Sequence, residues 1–98
     1  MLFRPEAEAD LVAAVSFYEE KRPGLGRELV SAIERALAAI EEAPGAQPLF
    51  HHGHACRRYK LARFPVAIVF NEDEAQTVTV IAVAHARRRP ASTAPPSR

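Results

Sequence analysis

The side chains able to do chemistry lie mostly in the second half of the chain. Arg58 and Lys60 stand two apart in a segment that alternates from Cys56 to Ala62. On a strand both project from one side, while Tyr59 and Leu61 project from the other. Arg63 follows in a turn, and Arg87, Arg88 and Arg89 close a later strand-like run. Cations gathered in this way suit a polyanion or an acidic protein. His85 is the one residue at a strand end suited to exchange a proton near neutral pH. The catalytic candidates are therefore His85, Lys60 and Arg63. Candidates for holding a target or a protein partner are Arg58, Lys60, Arg63, Arg87, Arg88 and Arg89. Each has a plainer reading as well. Arginines at a strand exit are commonly solvated, cations on an outer sheet face protect it from aggregation, and a strand-end histidine commonly bonds backbone.

His51, His52 and His54 crowd a Gly- and Pro-containing loop, but their spacing is not that of a metal-ligand set. Cys56 has no second thiol to join it or to form a disulfide within the chain. No metal and no cofactor is expected, and Cys56 reads as a small apolar residue at the start of a strand.

These residues need elements to position them. With 98 residues and 48% hydrophobic side chains, the chain is long enough for one modest core and too apolar to be disordered throughout. One domain is expected over residues 1–90, with a flexible tail over 91–98, which is rich in Pro, Ser and Ala. No apolar run approaches the roughly 18–20 residues of a membrane span. Residues 1–10 turn acidic at once, unlike a signal peptide, so a reducing cytoplasm is the expected setting. The net charge of +1 hides a division. Residues 1–50 carry five basic and nine acidic side chains, a net of −4; residues 51–98 carry eight and three, a net of +5. The second half must build a basic surface.

Met1 to Arg4 reads as a brief edge strand ended by Pro5. From Glu6, the positions Ala7, Leu11, Ala14, Val15 and Tyr18 recur at helical spacing. Glu6, Glu8 and Asp10 suit the positive end of that helix's dipole, and Pro23-Gly24 stops it. A second helix opens near Leu25, carries Leu29, Ile33, Leu37 and Ile40 on one stripe, and ends at Ala43-Pro44-Gly45. The short connection predicts an antiparallel helix hairpin. Pro44 to Gly53 reads as a loop. Three strands follow: Cys56 to Ala62, Val66 to Phe70, and Thr77 to Ala84. The last two are apolar on both faces, so one face meets the hairpin and the other is a candidate docking surface. The expected fold is α+β, in the order β-α-α-β-β-β: a small antiparallel sheet packed on a helix hairpin.

This order, with several local strings, resembles the RelE/ParE superfamily of toxins from bacterial type II toxin–antitoxin systems. The likeness runs from about Phe3 to Pro90. In the first helix it is carried by Ala9-Asp10-Leu11, Ala14 and Phe17-Tyr18-Glu19, and in the second by Gly24-Leu25-Gly26-Arg27-Glu28-Leu29. More specific are the run from Arg57 to Phe70 and the run from Val80 to Pro90, whose His85-Ala86-Arg87-Arg88-Arg89-Pro90 ending resembles the ParE branch. The resemblance implies a small toxin silenced by a cognate antitoxin, normally encoded in the adjacent gene, in a toxin–antitoxin hetero-oligomer. It also implies either DNA gyrase as target, as for ParE members, or cleavage of mRNA in the ribosome, as for RelE members.

Metal-independent RNA cleavage needs a deprotonated 2′-OH, a stabilised phosphate and a protonated leaving group, so a proton-transfer pair and several cations must converge. Ribonuclease members place an Arg where this chain has Ala67, another near Ala86, and a C-terminal aromatic residue near Ser92. These departures favour a binding toxin of the ParE kind. An mRNA endoribonuclease, or a degenerate and non-toxic family member, is the alternative.

Overall fold

The computed structural model describes residues 1–51, 55–75 and 77–85. Strand β1 (Leu2–Phe3) leads into α1 (Pro5–Lys21) and α2 (Leu25–Glu42). A 3-10 turn (Pro44–Ala46) follows, then β2 (Leu49–His51), β3 (Ala55–Lys60), β4 (Val66–Glu72) and β5 (Val78–His85). The five strands form one sheet in the order β1-β5-β4-β3-β2. This is the α+β architecture the sequence predicts, with two differences. The segment read as a loop from Pro44 to Gly53 contains β2, which pairs antiparallel with β3. The sheet is also mixed, because β1 joins β5 in parallel while the other pairs are antiparallel. Parallel pairing needs a long crossover, and the helix hairpin with the strands after it is that crossover.

Pro5 does more than end β1. It occupies the first turn of α1, where a missing N–H and a fixed φ suit a helix start. Between the helices, Gly24 takes a φ of 89°, which costs glycine little. Gly26 then lies where the helices approach closely: a Cβ there would sit 3.1 Å from both the Val15 Cγ1 and the Val15 carbonyl oxygen. The Glu19 carboxylate reaches back to accept hydrogen bonds from the N–H groups of Gly24 and Gly26, at 3.1 and 3.0 Å. Two donors at the start of α2, which the helix itself cannot satisfy, are thereby paired.

The main core lies between the hairpin and one face of the sheet. Ala7, Ala14, Leu29, Ile33 and Ile40 from the helices meet Val66, Ile68, Phe70, Val78, Val80 and Val83 from the strands. These are the apolar stripes read from the sequence. Among the described residues, no helix is long and apolar enough to cross a membrane. The expected tail over 91–98 lies outside the described residues.

Candidate functional site

The far face of the sheet is built by register. Lys60 stands opposite Ala67, and Ala67 opposite Ala84, so the three form one row across β3, β4 and β5. The adjacent row is Arg58, Val69 and Ala82. Directly opposed residues on antiparallel strands share a face, so both cations stand on one side of the sheet, as their alternate spacing predicts. A bulge at Val69/Phe70 breaks the ladder beyond the second row. The centre of this face is not the open apolar docking surface expected from the strand patterns. Cys56, Val69, Ile81 and Ala82 form a second cluster there, none of them more than 4% exposed. Cys56 is the buried strand-start residue the sequence predicts.

What remains accessible is the end of the face. A cavity of about 370 Å³ lies there, with Ala67, Ala84, Arg58 and Lys60 in its lining. Leu61, Phe64, Pro65 and Val66, of the β3–β4 connection and the start of β4, and His85 are the other described residues of that lining. That connection is closed by two backbone hydrogen bonds, from the Leu61 N–H to the Val66 carbonyl at 2.9 Å and from the Val66 N–H to the Phe64 carbonyl at 2.7 Å. The structure thus gathers three of the sequence candidates, Arg58, Lys60 and His85, around one space.

The three are not equivalent. Arg58 and Lys60 are exposed. His85 is 5% exposed, and its Nε2 is hydrogen-bonded to the Tyr18 hydroxyl of α1 at 2.8 Å. Its ring meets those of Phe17 and Tyr18 edge-on at 4.9 and 5.1 Å, and Tyr18 in turn meets Phe64 at 5.1 Å. Through this bond to a side chain, His85 joins α1 to the end of β5.

Arg63 goes elsewhere. Its Nη2 donates to Glu28 Oε1 of α2 at 2.9 Å, and its guanidinium carbon lies 5.4 Å from the centre of the Phe64 ring. Glu28 also faces Arg22 at 3.5 Å. The hydrogen bond from Arg63, with the charges of both arginines, holds the Glu28 carboxyl below its ordinary value. Arg63 lines a smaller cavity of about 120 Å³ with Arg35 and Tyr59, apart from Arg58 and Lys60. Arg87, Arg88 and Arg89 lie outside the described residues, as do His52 and His54. Among the described residues, no group of His, Cys, Asp or Glu side chains is arranged to hold a metal.

Sequence reasoning missed the part played by Asp10. Its place in the sequence predicts a first-turn acid, yet it is 5% exposed and its Oδ2 accepts the Val83 N–H at 3.1 Å. β1 pairs with Thr79 and Val80, and among the described residues no strand lies on that side of β5 beyond them. There the Asp10 carboxylate, rather than a described strand, accepts the Val83 N–H. Its signal was available: Ala7, Asp10 and Ala14 share one helical face, and both alanines are buried. Tyr18, one of the positions recurring at helical spacing, also supplies the hydroxyl that His85 meets.

A helix hairpin on one face of a small open sheet is consistent with the fold of RelE/ParE-type toxins. The chain belongs to the family described as ParE toxin of type II toxin-antitoxin system, parDE, whose sequence model matches residues 1–90. No curated protein matches the chain significantly.

Proposed function

We propose that this chain is a cytoplasmic toxin that inhibits growth by binding a cellular target, with DNA gyrase the target implied by its family, and that the antitoxin of the adjacent gene neutralises it in a hetero-oligomeric complex. Its family makes it a type II toxin; the mode of action rests on the row Lys60–Ala67–Ala84. Where RNA cleavage would call for converging cations, this row has one cation and two methyl groups. The nearest proton-transfer candidate, His85, is buried and engaged with Tyr18. Such a face holds a partner better than it stabilises a phosphorane-like transition state.

Ribosome-dependent mRNA cleavage is the second reading, favoured by one observation: Lys60, Arg58 and His85 line the same cavity. Purified protein added to a gyrase supercoiling assay and to a translation reaction with mapped mRNA ends separates the two. Loss of supercoiling with intact mRNA is expected. Cuts within codons that vanish in His85→Ala would overturn the binding reading, and normal growth on induction of the gene alone would mark a non-toxic family member. Arg87 and Arg88 are proposed to face the antitoxin. Arg87→Glu/Arg88→Glu should weaken the toxin–antitoxin complex by more than ~1 kcal/mol in a titration, as charge reversal at an interface does; an unchanged affinity removes these residues from the interface.

A further inference from the structure

The smaller cavity, between α2 and the β3–β4 connection, takes no part in the function proposed above. Its volume is about 120 Å³, well under the roughly 300–1,000 Å³ that encloses a drug-sized ligand. A small group, or the end of a larger molecule, fits it. Ala32 and Ala36, one turn apart on α2, leave the space that larger side chains would fill, and Leu61 adds apolar lining. The charge in the lining is of one sign. Arg35 comes from α2 and Arg63 from the connection, the half-buried Tyr59 of β3 joins them, and no acid is among the described lining residues. Arg63 gives an Nη2 donor to Glu28, which also faces Arg22, and keeps others of the five N–H donors a guanidinium carries. Arg35 is exposed and has no ion pair among the described residues. Its own helix offers it no acid, because the positions three and four away are Ser31, Ala32, Ala38 and Ala39.

We propose that this cavity binds a phosphate monoester group, held by Arg35 and Arg63 with the Tyr59 hydroxyl as a third donor. Two guanidinium groups in one lining, with no acid there to balance them, call for an anion of more than one charge. A phosphate monoester carries about −1.5 to −2 at neutral pH and offers three strong acceptor oxygens. Each arginine fork matches two of those oxygens at once. A carboxylate brings one charge and two oxygens, and a phosphodiester brings one charge with a second ester arm that the small space has to accommodate. The volume admits the phosphate and leaves the rest of the ligand outside. Arg35 and Arg63 belong to different layers, so the bound group ties α2 to the β3–β4 connection. The proposal is independent of the target and of the antitoxin, and its failure leaves the function proposed above in place.

The test is an NMR titration of the full-length, ¹⁵N-labelled protein at constant ionic strength with glycerol 3-phosphate, dimethyl phosphate and acetate. Glycerol 3-phosphate should shift the side-chain Nε–H signals of Arg35 and Arg63, with a Kd on the order of 1 mM for so small a ligand. The two singly charged probes should bind at least about fivefold more weakly. Arg35→Gln should weaken binding at least ~10-fold and Tyr59→Phe about threefold, the losses expected for a charged and a neutral hydrogen bond. Arg27→Gln, exposed on α2 and outside the described lining, should leave it unchanged. Should Tyr59→Phe disturb the fold, seen as changes throughout the amide spectrum, Arg35→Gln at its exposed position decides alone. Absence of shifts, equal binding of the singly charged probes, or a loss in Arg27→Gln as large as in Arg35→Gln overturns the site. Titration with 5′-phosphorylated tetrathymidylate separates the two sources of such a group. Binding tighter than that of glycerol 3-phosphate, and lost without the 5′-phosphate, supports the site and assigns it to a nucleic-acid end; weaker binding supports it for a small phosphorylated molecule. Equal shifts with the unphosphorylated strand overturn a monoester site.

Discussion

Asp10 and Tyr18 are one face of α1 reaching β5 at two places, and together they tie the helix hairpin to the strand that carries His85. Asp10 is the stricter case, because a buried backbone N–H depends on it. Asp10→Ala leaves the Val83 N–H without this acceptor and should cost about 1–3 kcal/mol of stability, read as a lower denaturant midpoint. Asp10→Asn keeps an acceptor oxygen and should cost less. Equal losses in the two variants would mean that the Val83 hydrogen bond is not what Asp10 contributes. At this scale the sequence was half legible. Arg58 and Lys60 fall on one face as their spacing requires, since strand alternation is a property of the backbone. The ion pair of Arg63 with Glu28 was not legible, because the partners lie 35 residues apart and meet only once the β3–β4 connection packs near the start of α2.

The helix hairpin shows how elements are joined by few atoms. A Cβ on Gly26 would press on the Glu19 carboxylate at 3.0 Å and on Val15 at 3.1 Å, so Gly26→Ala should destabilise the protein in chemical denaturation, by about 0.5–2 kcal/mol once the better helix propensity of Ala offsets part of the overpacking cost. A variant as stable as the parent would show that the helices can move apart freely. The same junction carries a pH dependence. Hydrogen bonds from the Gly24 and Gly26 N–H groups hold the exposed Glu19 carboxyl below its ordinary 4.5, and Arg63 does so first for Glu28. As pH falls, the unfolded chain therefore takes up these protons before the folded one. Their contribution to stability is full above about pH 4.5 and is lost as pH falls through the lowered folded values. Glu19→Gln should flatten that loss, so that its denaturant midpoint drops less than the parent's between about pH 6 and about pH 3. A variant with the parent's acid sensitivity would remove Glu19 as a source. Both helices, β3, β4 and β5 were legible as hydrophobic periods. β2 was not, because three residues carry too little pattern and the strand is defined by its pairing with β3. The parallel join of β1 was equally hidden, being defined by its partner β5.

Across the whole molecule, the charge division read from the sequence is reorganised by folding. Of the eight cations in residues 51–98, Arg63 pairs with Glu28 of the hairpin, and Arg57 donates to the Gln47 carbonyl at 2.6 Å, beside the 3-10 turn. Arg58 and Lys60 alone among the described cations of that half stand exposed beside the larger cavity. Association with an acidic partner should consequently depend on salt. Raising ionic strength from about 0.05 to about 0.5 M should slow the association rate at least ~10-fold, with a smaller change in dissociation. Stopped-flow measurement of the toxin–antitoxin complex checks this, and a salt-independent rate would exclude steering by these cations.

The sequence by itself determined the fold class, the helix hairpin, the two-faced strands and the family, because each follows from local periodicity or from strings of residues close together in the chain. Only the tertiary structure decided which candidates share a site. Lys60, Ala67 and Ala84 become neighbours through strand register, His85 is committed to Tyr18 across 67 positions, and Arg63 is drawn away to α2. Spacing along a strand says which side a residue takes. What it meets there depends on contacts between distant segments, which exist only after the chain has folded.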